Sequence, residues 1–259
     1  MNYWMRRLRA ALPWLLVAVL SSGTVMLVLL PAAWITPQFS KATGGHVNLV
    51  NPAGSLWHGS ATLMLAAGSD TSAATLLPGR IEWHTAFWPL FVGRVRMTML
   101  QNEAMPDPIT VDATRRGAIL SQGAIAVPAS LLTGLGAPFN TLDLEGDVRL
   151  AWSDWRSFDQ EAFGQLTVTL IDASSRVSLL KPLGSYRVVI QAEGNRSTVD
   201  LSTLKGPLML NGHGTVSANS TSFNGTAGAA PEARDNLAGL LNLLGRPSGP
   251  GTVTLTFVH

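Results

Sequence analysis

No charged residue occurs between Arg9 and Lys41, and that gap governs what the chain can fold into. From Leu12 to Trp34 the sequence reads LPWLLVAVLSSGTVMLVLLPAAW. At 1.5 Å per residue, the roughly 19 residues from Leu12 to Leu30 extend about 28 Å, close to the hydrocarbon thickness of a bilayer. Trp4, Trp14 and Trp34 stand near the two ends, where indole rings favour the interface. Ser21, Ser22, Gly23 and Thr24 are small polar residues that a span tolerates. A soluble protein would have to bury every face of such a helix. A cleaved signal peptide has a shorter apolar core and a small-x-small site, whereas here Pro31-Ala32-Ala33 puts Pro where a small residue is needed. The segment is therefore expected to be an uncleaved transmembrane helix over 12–34.

Arg6, Arg7 and Arg9 precede the span, and only Lys41 follows it closely. The positive-inside bias then keeps residues 1–11 in the cytoplasm and sends 35–259 across the membrane. Those three arginines more than account for the formal net charge of +2, so the body carries no basic excess and nucleic acid is not an expected partner. The chain has no cysteine, which removes disulfides, thiolate metal sites and a thiol nucleophile. Charged residues make up 13% and apolar ones 46%, enough for a body of this size to bury a core without staples.

Past the span one pattern recurs: a glycine, then alternating apolar and polar residues. Gly93 precedes RVRMTML, Gly146 DVRLAW, Gly164 QLTVTL, Gly206 PLMLNG and Gly251 TVTLTF. Period-two alternation buries one face of a strand and wets the other, as in antiparallel sheets. Ser60–Leu65, Arg80–Trp83, Thr110–Ala113, Ala118–Val127, Tyr186–Ala192 and Thr215–Asn219 read as further strands. No fixed period links the runs. The expectation is a mainly β fold: one curved antiparallel sheet or open sandwich, forming a single domain over 35–259.

Helical signals are few. In PEARDNLAGLLNLLGRP, Pro231 suits a first helical position, and Leu237, Leu240, Leu241 and Leu244 fall on one face. Gly245 is placed for the C-terminal cap, with Pro247 preventing continuation. Pro128–Gly136 reads as a short helical turn, and Ala86–Gly93 as an apolar corner. The segment 219–230 reads as strand and turn with Phe223 pointing inward, or as a loop.

Catalytic chemistry finds little purchase. His46, His58, His84, His213 and His259 never stand three or four apart, so a metal site would have to assemble across strands, with His58, His84 and His213 as the candidates. Glu145 with Asp147, and Asp154 with Asp159, fall in turn-prone sequence rather than in an evident pocket. No nucleophile elbow, phosphate loop or dinucleotide fingerprint occurs. The reading is of a protein without catalytic residues, metal or cofactor. In Asn51–Ser60, Gly54, Leu56, Trp57 and Gly59 mark a tight turn; Leu56 and Trp57 either plug the core or form a docking knob for a partner.

GSLWHGSATL, Gly54–Leu63, following a short N-terminal anchor, resembles the G-x-apolar-W-x-G signature of type II secretion system protein N, the GspN family. The order continues as in that family through PLGSYRVVIQAEG (Pro182–Gly194), LKGPLMLNGHG (Leu204–Gly214) and LLNLLGRPSGPGTVTLTF (Leu240–Phe257). The resemblance implies a Gram-negative inner membrane, a periplasmic body and an accessory role in exporting folded periplasmic proteins across the outer membrane. Its implied partners are other inner- or outer-membrane components of that system. The family is also distantly similar to AsmA-type envelope proteins, which adds lipid binding or bridging as the alternative, by fold-level analogy.

Overall fold

Alternation becomes one sheet of seventeen antiparallel strands among the described residues. The computed structural model describes residues 14, 17, 21, 22, 25, 29–67, 70–130, 132, 143–159, 161–217 and 220–258. In chain order the strands are β1 Val47–Gly54, β2 His58–Ala67, β3 Asp70–Leu76, β4 Ile81–Ala86, β5 Val95–Leu100, β6 Ile109–Ala113, β7 Gly117–Leu120, β8 Gly123–Pro128 and β9 Leu144–Trp152. They continue as β10 Trp155–Phe158, β11 Glu161–Ser175, β12 Gly184–Gly194, β13 Arg196–Lys205, β14 Leu208–Ser217, β15 Thr221–Ala229, β16 Arg246–Gly249 and β17 Thr252–Val258. Two α-helices that lie wholly among the described residues accompany them, α1 Thr36–Ala42 and α2 Arg234–Leu244.

The topology is a meander of bent strands. β3 and β4 lie end to end along one flank of β2, and β9 and β10 likewise along one flank of β11. β7 pairs with β10 and β8 with β9, so these four make one bent hairpin. The run expected as a single strand over Ala118–Val127 is thus two. Its bend at Ser121 and Gln122 is fixed by Trp152 Nε1 donating to the Ser121 carbonyl (2.8 Å) and by Gln122 N–H donating to the Asp154 carboxylate (3.0 Å). Sequence order breaks at the end, where β17 enters between β15 and β16.

Gly93, Gly206 and Gly251 precede their strands as expected, but Gly146 and Gly164 lie inside β9 and β11. Gly146 has φ +129° and sits opposite the register shift between Ile171 and Ser174, so it serves a bulge and not a turn. Thr215–Ser217 is the end of β14 and not a separate strand; 218 and 219 lie outside the described residues. Pro231 opens a 3-10 turn, Pro231–Ala233, that runs into α2. Gly245 is the C-terminal cap as expected, its N–H donating to the Leu241 carbonyl (3.2 Å), and its extended backbone (φ −170°) leads directly into β16, where Pro247 occupies an edge strand.

α2 and the segment leading into α1 lie against the apolar face. α2 packs Leu237, Leu240 and Leu241 onto Leu208, Ala227, Ala229 and Val253 at one side of the sheet. Ala32 and the half-buried Ile35, leading into α1, join Ala61 and Trp83 at the other. Between them the apolar clusters are continuous, since Met99, Leu63, Ile125 and Leu170 are each shared by two of them. The opposite face carries polar pairs such as Arg96 with Asp112 (2.7 Å). The Arg96 guanidinium, with Arg94 beside it, holds the Asp112 carboxyl below the usual carboxylate range.

Most of the expected span lies outside the described residues. Trp14, Val17, Ser21, Ser22 and Val25 are helical, and no helix among the described residues is long and apolar enough to cross a membrane. At the near end Pro31 bridges to Ser55, and Ala32 is buried in the body.

Leu237 is fully buried at the seat of α2. Leu237→Ala should destabilise the body by about 2–5 kcal/mol through lost burial and the cavity left behind, read as a lower urea midpoint with unchanged slope.

Candidate functional site

The middle of the apolar face forms a trough of about 460 Å³. Strand register builds its floor. Leu150 of β9 stands opposite Val168 of β11, Val168 opposite Val188 of β12, and Val188 opposite Leu201 of β13. Four branched side chains from adjacent strands thus form one row, with Leu240 and Leu244 of α2 on one rim and Leu132 on another. Polar atoms in the lining are already engaged. The Tyr186 hydroxyl donates to the Leu208 carbonyl (3.0 Å), and Ser175 Oγ accepts from Val177 N–H (3.3 Å). Such a lining offers dispersion and desolvation to a ligand but no acid, base or nucleophile.

The ionisable candidates lie elsewhere and do not converge. Paired across β2 and β4, His58 and His84 meet with Nδ1 of His84 2.6 Å from Nε2 of His58. His213 is not with them: it contacts Asp200 at 2.6 Å, on β14 and β13. No cluster of three metal-binding side chains occurs among the described residues. Glu145 pairs with Lys181 (3.2 Å) and Arg176, and Asp154 caps the Gln122 amide, so the acidic pairs serve the surface and a bend. Sequence separation hides the meeting of His58 and His84; only the register of β2 with β4 reveals it.

The Gly54–Gly59 turn is a suture. Gly54 has φ +82°, and a Cβ there would stand 2.5 Å from the His58 carbonyl; one at Gly59 would strike the Trp83 ring. Ser55 N–H donates to the His58 carbonyl (2.8 Å), and Ser55 Oγ accepts from His58 N–H (3.1 Å). Leu56 N–H reaches the Leu30 carbonyl (2.8 Å), while Thr85 bonds back to Leu56 and Trp57. Trp57 is buried, its ring 5.2 Å from that of Phe87, and Leu56 is half-buried. The turn thus ties the segment arriving at Leu30 to β2 and β4. Arg6, Arg7 and Arg9 lie outside the described residues.

Against this geometry, the family described as type II secretion system (T2SS), protein N, matches residues 45–256. No curated protein and no solved structure matches the chain.

Burial pushes the Tyr186 phenol well above its usual range. An unfolded tyrosine ionises near pH ~10, so above that the folded state holds the extra proton and stability falls as pH rises. Tyr186→Phe should cost about 1 kcal/mol at neutral pH by orphaning the Leu208 carbonyl, and should flatten the alkaline loss in urea denaturation.

Proposed function

The chain belongs to the type II secretion system protein N family, and from that premise we propose that it works as a non-enzymatic accessory component held in the inner membrane. Segment 12–34 crosses the bilayer once, Arg6, Arg7 and Arg9 keep 1–11 in the cytoplasm, and 35–259 acts in the periplasm. There it assists the passage of folded proteins across the outer membrane through contacts with other inner- or outer-membrane components of the system. The observation that carries the reading is the extent of the family match, which spans from just before β1 almost to the end of β17.

The sheet edges bear on where those contacts fall. β16 is four residues long, exposed and contains Pro247. On β1, Thr43 Oγ1 donates to the Val47 carbonyl (2.8 Å) and accepts from its N–H (3.3 Å). Both features blunt strand addition at the two ends of the sheet, while β3 and β8 each have a strand partner on one side only among the described residues. Protein contact is better served by the Gly54–Gly59 turn: Leu56 and Trp57 make it rigid, and the exposed Gly54 and His58 meet the partner.

The trough favours a second role at the same place, the AsmA-like alternative of holding lipid. Its lining of side-chain carbon suits an acyl chain, whereas an extended peptide would leave backbone N–H and C=O groups without partners.

Deleting the gene should lower secretion of at least one substrate, and the protein should co-purify with the machinery. Intact secretion of every substrate with no co-purification would sink the accessory reading. Native mass spectrometry of gently extracted protein should find bound acyl lipid; consistently empty protein would remove the second role.

A further inference from the structure

One end of the sheet carries, beside the Gly54–Gly59 turn, a corner that neither the secretion role nor the trough uses. The Pro31–Ser55 bridge, the Leu56–Leu30 hydrogen bond, the β4–β5 corner and the β6–β7 turn all lie there, because Ala86 pairs with Arg96 and Val95 with Ala113. The corner is the uncharged stretch Ala86–Gly93, folded into a 3-10 helix over Trp88–Val92. Its side chains were expected as an apolar corner, and they point outward: Trp88 is 80% exposed, Phe91 70% and Val92 73%. The arrangement is held and not frayed. Phe87 and Phe91 meet edge to face at 5.3 Å, Gly93 N–H donates to the Leu90 carbonyl (3.0 Å), and Arg94 N–H to that of Pro89 (3.0 Å). Water is a poor phase for such a surface.

Two observations say which phase covers it. First, the corner stands one aromatic contact, Trp57 to Phe87, from the place where the apolar N-terminal segment joins the body. Second, arginines surround it. Arg94 and Arg96 are half exposed and share Asp112, and Arg115 and Arg116 are exposed on the adjoining β6–β7 turn. Indole and phenyl rings flanked by guanidinium groups match the headgroup zone of an anionic bilayer, apolar at depth and negative at its surface.

We propose that the Trp88, Phe91 and Val92 corner is a second membrane contact, dipping into the headgroup zone of the bilayer that the N-terminal segment enters, with Arg94, Arg96, Arg115 and Arg116 facing lipid phosphate. This rests on reading 12–34 as an anchor. The contact adds a second point of attachment to the tie at Leu30 and Leu56, and the two together fix the tilt of the sheet over the membrane.

The absence of cysteine makes the test clean. Full-length Phe91→Cys, Leu179→Cys and Val25→Cys variants each carry one environment-sensitive fluorophore, reconstituted into phosphatidylethanolamine and phosphatidylglycerol vesicles with spin-labelled quenchers. Leu179 is 94% exposed at the opposite end of the sheet. A shallow quencher should lower emission at position 91 by roughly two-fold and leave 179 unchanged, while a deep quencher acts at 25. Arg115→Gln with Arg116→Gln should weaken the effect at 91 in anionic vesicles but not in zwitterionic ones. Quenching at 25 with none at 91 overturns the proposal and leaves the anchor standing; none at either removes the anchor and the proposal together. Shielding at 91 only when the secretion machinery is added would assign the corner to a protein partner and overturn the lipid contact.

Discussion

The backbone ladder of β11 is what the rest of the body leans on. A single strand of fifteen residues pairs along one side with β12 and along the other with β10 and then β9. The N-terminal strands therefore reach the C-terminal ones through this strand, and its pleat sets which side chains of both halves share a face. A slip of one residue would turn Val168 and Leu170 outward and bring Thr167 and Thr169 in, reversing the burial of everything paired to them. Two bulges absorb the mismatch in twist, one against β9 and one against β12, both between Leu170 and Ser174.

From that pleat follows the separation of roles across the sheet. One face is apolar from Ala32 to Val253, and α2 and the segment before α1 cover its two sides but not its centre among the described residues. The other face holds exposed ion pairs and the two histidine contacts, groups that cost little to solvate and contribute little to stability. Function, on this view, belongs to the apolar face and to the end of the sheet where the chain enters, and the polar face keeps the open sheet soluble.

Much of this was legible in the sequence because alternation is local. VRMTML and TVTLTF announce β5 and β17, and the leucine spacing in α2 announces its buried face. β13 escaped notice because Arg196–Lys205 offers only Val199, Leu201 and Leu204 among polar residues. β1 escaped because Asn51-Pro52 breaks the run, and β10 because four residues are too few to show a period. Gly245 and Pro247 announced the end of α2, which stops at Leu244 with Gly245 as its cap. The turn around Trp57 could be read from its glycines. The trough could not: its row joins residues from four strands whose register no local pattern encodes, and its lining looks like ordinary core in the sequence.

The insertion of β17 between β15 and β16 separates the order of synthesis from the order of assembly. Up to β15 a chain emerging N-terminus first can add each strand to an existing neighbour, except β8, whose partner β9 follows it. β15 then waits with an unpaired edge while α2 and β16 are made, and the last strand must enter a gap between two strands already present. The seat of α2 lies beside that gap, so docking of Leu237 and its neighbours shields the waiting edge and positions β16 to receive β17. The pairing order thus places closure of the body last, at the side of the sheet where α2 sits.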